Sequence, residues 1–354
     1  MEAYLGGRSS WLPCVIGLVL VLVLGSGSGR AADRTIWAKH WHGPDENPVA
    51  GIATDAAGNI YVAGISEHDR ISVAKFDPSG HELWRSKYDE SAGGGAGYAT
   101  GIALDKSGGV YVTGACEDPV HGQEIATLKY SAATGSLLWS DKYHAADGPY
   151  DDEPGGLAYD SFNNWLFVCG SACAWHANGN VNYDYAVIRY NPADGSRVWV
   201  RLCDFGPDVD YGDEGDFAVG ICLGLDRYPV VTGYYLNDDD DAWVYDWATV
   251  CLYSNRGVVA WTRFDNWSDE DDEKPLGICS DPNGNIYLAG YRYHETAEDE
   301  NYEAVFMRIT GNNRDCDKRY RGVTECDCWG LGCEYNHGRV YCPVSYTHLR
   351  AHET

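Results

Sequence analysis

A four-part unit recurs along this chain, and that recurrence constrains the fold more than any single motif. In residues 101–143 four short apolar runs (101–104, 110–113, 125–130 and 137–143) are parted by Asp-Lys-Ser-Gly-Gly, a polar loop and Ala-Ala-Thr-Gly. Runs of four to seven residues rich in Val, Ile, Thr, Tyr and Trp, bounded by Gly and Asp clusters, read as strands. The unit is therefore expected to be one four-stranded antiparallel sheet. Full copies begin at Gly51, Gly101, Gly156, Gly220 and Gly277, each opening with Gly-(Ile/Leu)-(Ala/Cys). A second glycine follows in each (Gly64, Gly114, Gly170, Gly233, Gly290). In four copies a turn glycine precedes a tryptophan by four residues: Gly80/Trp84, Gly135/Trp139, Gly195/Trp199 and Gly257/Trp261.

One such sheet cannot bury both its faces, whereas copies fanned about an axis can. The expected fold is thus all-β, a β-propeller of four-stranded antiparallel blades with five full copies and partial copies at both ends. An open β-solenoid would show shorter, more even coils. Residues 34–41 resemble only the last strand of a unit and are expected to complete the final blade. A sixth copy starts near Leu331.

The segment Gly-Ile-Ala-x-Asp-x-x-Gly-Asn-Ile-Tyr-Val-x-Gly (51–64), with Ala-Thr-Leu-Lys-Tyr at 126–130, resembles the bacterial secreted beta-propeller repeat family. Its first half is also similar to NHL repeats. Thr134-Gly135-Ser136-Leu137-Leu138-Trp139 resembles the tryptophan-docking turn of quinoprotein blades, which raises a quinone-cofactor oxidoreductase as a third functional class. The resemblance implies a blade scaffold and little about ligand.

Both ends read differently. Arg8 precedes an apolar run at 15–24, too short to span a membrane, and small residues follow. Residues 1–32 are read as a secretory signal cleaved near Ala31, so the mature chain is expected outside the cytoplasm: secreted, at the cell surface or in the periplasm. Residues 344–354 (VSYTHLRAHET) resemble a translated sequencing adapter, leaving 33–343 as the propeller and implying a natural chain that continues past Pro343.

With 53 acidic against 26 basic side chains the chain carries a formal charge of −27. Nucleic acid and anionic lipid are disfavoured as partners, and cations or basic protein surfaces favoured. More than half of the carboxylates lie in the long loops, which antiparallel blades gather on one face. Loops of variable length on a regular scaffold are where binding usually resides. The rings and carboxylates there, Tyr211, Tyr234, Tyr235, Asp238, Asp239, Asp240, Asp241, Trp243, Trp267 and Asp269, are expected to meet a glycan or a basic protein surface. Asp208, Asp210, Asp213 and Asp216 alternate with turn residues at the hard-oxygen density that Ca²⁺ prefers, making calcium the one cofactor expected.

The function expected is a binding or scaffold module. The alternative is a polysaccharide hydrolase or lyase using loop carboxylates, although no catalytic pair can be named among so many. Histidines 68, 121, 144, 176 and 294 look scattered and solvated. Cys222 and Cys279 occupy small core positions, whereas Cys169, Cys173, Cys316, Cys326 and Cys328 are disulfide candidates in an exported chain. Paired Cys-x-x-Cys knuckles for zinc are absent.

Overall fold

The computed structural model describes residues 18–19, 39–40, 49–66, 69–88, 95–146, 148, 150–206, 215–239, 242–266, 272–295, 300–310, 317–319, 328–330, 334–336, 339–341 and 344–346. Five sheets of four antiparallel strands follow one another in chain order, and in each the sequence order is also the spatial order. Blade one is Val49–Thr54, Ile60–Ser66, Arg70–Phe76 and Glu82–Lys87. Blade two is Gly97–Leu104, Gly109–Asp118, Gly122–Ser131 and Leu137–Tyr143. Blade three is Glu153–Asp160, Trp165–Trp175, Val181–Tyr190 and Arg197–Cys203. Blade four is Phe217–Leu223, Pro229–Asp239, Ala242–Leu252 and Val259–Asp265. Blade five is Glu273–Ser280, Ile286–Glu295, Glu300–Ile309 and a short Asp317–Arg319, which lacks the outer tryptophan as its sequence implied. The fold is an all-β propeller. A 3-10 turn at Leu225–Arg227 is the one helical element among the described residues, and none of their helices could cross a membrane.

The burial pattern explains the apolar runs. Second and third strands are buried on both faces, as in Ile60–Ser66 and Trp165–Trp175, and in blades two to four a neighbouring blade covers each side. Fourth strands alternate toward solvent, as in Glu82–Lys87. First strands of successive blades touch at the hub. A side chain placed on Gly51 would meet Ile102 Cγ2 at 3.0 Å, and one on Gly220 would meet Ile278 Cγ2 at 3.1 Å. The Gly-Ile pair is thus a knob and its seat in adjacent blades. One residue before each such glycine the register shifts, between Val49/Gly51, Ala99/Gly101, Pro154/Gly156, Ala218/Gly220 and Pro275/Gly277. A bulge at a fixed place bends every blade alike.

The tryptophans hold the outer rim. Trp84 Nε1 donates to the Ala132 carbonyl of blade two at 3.1 Å, Trp139 to Pro192 of blade three at 3.1 Å, and Trp199 to Ser254 of blade four at 3.1 Å. Each ring lies against the turn glycine of the next blade, and Gly135, Gly195 and Gly257 have φ of 74°, 76° and 64°, where a β-carbon would be strained and would strike the indole. A third-strand cation reaches the same carbonyl: Lys75 Nζ to Ala132 at 2.9 Å, Lys129 Nζ to Pro192 at 2.8 Å, and Arg189 Nη1 to Ser254 at 3.3 Å. Each cation also covers a ring of its own blade, Lys129 lying 4.9 Å from the Tyr111 centroid. Replacing Lys129 with Met should cost about 1 kcal/mol, the scale of one charged hydrogen bond with a cation–π contact. Urea denaturation checks this, and no change would remove the cation from the latch.

The short turns between first and second strands, at the same end as the latch, repeat as well. Asp105 Oδ1 accepts from the Ser107 and Gly109 amides at 2.7 Å, and Tyr111 Oη donates to its Oδ2 at 2.7 Å. Asp55 and Asp281 do the same in blades one and five. Burial opposes ionisation of Asp105, yet these bonds and Lys129 hold its carboxyl below the usual value.

Two expectations at the chain ends meet other pairings. Lys39–His40, within the proposed closing strand, pairs with Leu18–Val19 and not with a blade edge. The sixth unit contains a hairpin of Glu334–Asn336 and Arg339–Tyr341, while Cys328–Gly330 pairs with Val344–Tyr346.

Candidate functional site

The loops between second and third strands and the links between blades share one face, and blades two to four carry it in the described residues. Two kinds of carboxylate recur there. One stands at the start of a first strand: Asp152, Asp216 and Glu273, all buried. Asp152 accepts from the Ala145 amide at 3.1 Å and the Cys173 amide at 2.8 Å, tying link to hairpin. Asp216 accepts from the Phe205 amide at 2.5 Å, the equivalent link position one blade on. Burial raises the Asp152 carboxyl to about 7, and that of Asp216 to about 8 despite these bonds. Part of the acidity read as a binding fringe is therefore internal framework.

The second kind lies on third strands, two residues before the residue opposite the second glycine: Glu124, Asp184 and Asp246, each at most 4% exposed. Histidines reach two of them. In blade two His144 Nδ1 lies 3.0 Å from Glu124 Oε1, and His121 Nδ1 lies 3.3 Å from the same oxygen. The two imidazoles stack at 3.9 Å with 12° between planes. In blade three His176 bridges two carboxylates, Nε2 at 3.2 Å from Asp184 and Nδ1 at 3.6 Å from Asp204.

An aromatic nest joins blades three to five. Tyr234 stacks on Phe217 at 5.2 Å and meets Tyr245 edge-on at 5.1 Å. Lys274 Nζ lies 4.8 Å from the Tyr234 ring and 4.1 Å from that of Tyr245. Burial lowers the Lys274 pKa against the pull of Asp272. On the open rim Trp175 is 58% exposed and meets Tyr150 edge-on at 6.2 Å.

The residues singled out from sequence are placed unevenly. Tyr234 belongs to the nest. Tyr235, expected on the ligand face, is only 9% exposed, belongs to the core cluster with Tyr185 and Ala248 and lies under the exposed Phe264 at 5.0 Å, because neighbouring strand residues face opposite ways. Asp238 and Asp239 stand opposite Trp243 and Ala242 at the hairpin end, where only the backbone is described. Asp216 is the link carboxylate above. Asp208, Asp210, Tyr211, Asp213, Asp240, Asp241, Trp267, Asp269, Cys316 and Cys326 lie outside the described residues, and of Cys328 only the backbone is described. Cys169 and Cys173 are free buried thiols. They sit four residues apart on one strand, roughly 13 Å by strand rise, so they cannot bridge to each other. His121 and His144, read as scattered, are adjacent. Only the link from strand four, which folds back over the hairpin of the same blade, reveals this.

No family model matches the chain, and no curated protein does. Solved structures resemble it at low identity. The β-propeller domain of the trilobed protease from Pyrococcus furiosus is 8% identical at a TM-score of 0.46, covering 84% of this chain and 78% of that one. The Pan2 WD40 domain of Neurospora crassa is 10% identical at a TM-score of 0.44, over 74% of this chain and 63% of that one. Quinohemoprotein alcohol dehydrogenase from Comamonas testosteroni is 17% identical at a TM-score of 0.41, over 68% of this chain, which spans 43% of that enzyme.

Proposed function

We propose that this chain is an exported binding module whose long-loop face takes a glycan, with Trp175 and Tyr150 as its ring platform. Trp175 carries the reading. A large ring that stays 58% exposed at a hairpin end, when most aromatics among the described residues are buried or half-buried, is available for stacking on the apolar face of a sugar. Asp151 follows Tyr150 in sequence; its Oδ1 accepts the Gln123 amide at 2.8 Å, and its Oδ2 is an acceptor for hydroxyls. A hydrolase or lyase would need two accessible carboxylates. The two with raised values, Asp152 and Asp216, are 1% exposed and engaged with backbone amides, which favours binding without turnover.

The chain should be retarded in gels containing a neutral soluble polysaccharide such as xylan or laminarin. Trp175→Ala should weaken that interaction about tenfold, or 1.4 kcal/mol. Retardation insensitive to Trp175 overturns the platform. Released sugar would support the enzyme reading, and binding only to a basic protein at low salt would replace the glycan by a charged partner.

A further inference from the structure

We infer that His121, Glu124 and His144 form a binding site for a divalent transition-metal ion of the zinc class. In a tetrahedral centre with metal–ligand bonds near 2.0–2.1 Å, ligand atoms stand about 3.3 Å apart. Glu124 Oε1 lies 3.0 Å from His144 Nδ1 and 3.3 Å from His121 Nδ1, and the three donor atoms all fall within 4.8 Å of one another. The spacing suits one ion, and the two imidazoles close on it by turning out of their 12° stack so that both ring planes contain it.

The surroundings aim the same atoms inward. Lys142 Nζ lies 3.4 Å from Glu124 Oε2 and 3.5 Å from Asp118 Oδ2, occupying the outer oxygen of each carboxylate. The inner oxygens are left toward the imidazoles, Asp118 Oδ1 lying 3.3 Å from His121 Nδ1 while accepting the Val120 and His121 amides. Glu124 is 97% buried; its Oε2 is met by the Lys142 ammonium at 3.4 Å without hydrogen-bond geometry, and the buried His121 Nδ1 likewise makes no hydrogen bond to the two carboxylate oxygens 3.3 Å from it. A carboxylate and imidazole nitrogens held in this way are an incomplete polar network, the arrangement a cation completes. Side chains of His121 and His144 remain 28% and 31% exposed, which leaves the fourth position open to solvent.

Two nitrogens and one carboxylate oxygen select zinc, cobalt or nickel over calcium, which seeks six or more oxygens. The matching place in blade three is a built-in contrast. There His176, Asp184 and Asp204 also bring three donor atoms within 4.8 Å, but that group holds a single histidine and offers an ion one nitrogen instead of two. The site shares no residue with the Trp175 platform, so either can fail alone.

The full chain, stripped with EDTA, is titrated with Co²⁺ and followed by visible absorption, then with Zn²⁺ and followed by melting. One Co²⁺ per chain with ligand-field bands is expected, displaced by Zn²⁺ but not by Ca²⁺. Zn²⁺ at a hundredfold excess over Kd should raise Tm by about 5 °C. His121→Ala and His144→Ala should each weaken binding roughly tenfold or more, since losing an orienting partner alone costs that much. His176→Ala should not change it. In the unmutated chain Zn²⁺ should shield His121 and His144 from diethylpyrocarbonate, a readout free of folding effects. Absence of saturable Co²⁺ binding, of this shielding, or of any loss in the two variants overturns the site. A sulfur-to-cobalt charge-transfer band would overturn the ligand set in favour of Cys116, which stands opposite Glu124.

Discussion

Replacing Trp139 with Ala should lower stability by about 3–4 kcal/mol, the cost of removing a large packed ring. The indole joins two blades. Its nitrogen donates to Pro192, its face covers Gly195, and its ring stacks on Tyr190 at 6.1 Å and tilts against Tyr111 at 6.1 Å. Deleting it opens a gap between blades two and three that neither can close without breaking its own sheet. In urea, where m is about 1–3 kcal/mol/M, the midpoint should fall by roughly 1–4 M. Trp139→Phe keeps most of the packing and loses the hydrogen bond, so it should cost about 1 kcal/mol. Leu138→Ala is the control, since Leu138 is exposed on the same strand. A Trp139→Ala midpoint no lower than that of Leu138→Ala would refute the latch.

The second large effect is a loss of stability as pH rises from 5 to 9. Asp152 and Asp216 have folded-state values of about 7 and about 8, above the ordinary 3.8, with burial the leading cause. The folded chain therefore holds protons that the unfolded chain has released. The contribution is complete below about pH 4 and disappears as pH passes through 7 and 8. Asp216 accounts for on the order of 3 kcal/mol after allowing for relaxation and water penetration. Asp216→Asn keeps an acceptor for the Phe205 amide and carries no charge. Its melting temperature should fall less between pH 5 and 9 than that of the unaltered chain. General repulsion from a charge of −27 acts on both proteins, so the difference in slope isolates this carboxyl. Equal slopes would mean that Asp216 is ionised in the folded state at neutral pH.

The blade architecture was legible because its determinants are local and repeated. Gly51, Gly101 and their counterparts recur in every full copy, the tryptophan of Trp84 and Trp139 in four, and the Asp105 turn in three, and each does one mechanical job where it stands. The cation of the latch was visible only as Lys129 inside a repeated strand motif, since its acceptor, Pro192, lies 63 residues away. The link acids were hidden by their company. Asp152 follows Asp151, and Asp216 closes an acidic run, so neither stands out until burial separates it from its neighbours. A useful signal exists nonetheless: Asp152, Asp216 and Glu273 all fall two residues before the residue opposite the second glycine. His121 and His144 carry no such marker, for they meet through tertiary structure alone. Tyr235 misled because a loop-like composition surrounds a strand that in fact runs through Asp239.

The rim latch has an evolutionary consequence. Donor and acceptor always belong to consecutive blades, and the chemistry is the same at each seam from blade one to blade four. A gene segment that encodes one unit therefore carries half of two compatible joints, so tandem duplication or in-frame loss creates seams that already fit. Changes in ring size need no matched mutations elsewhere, while the loops on the opposite side from the turns are free to diverge copy by copy.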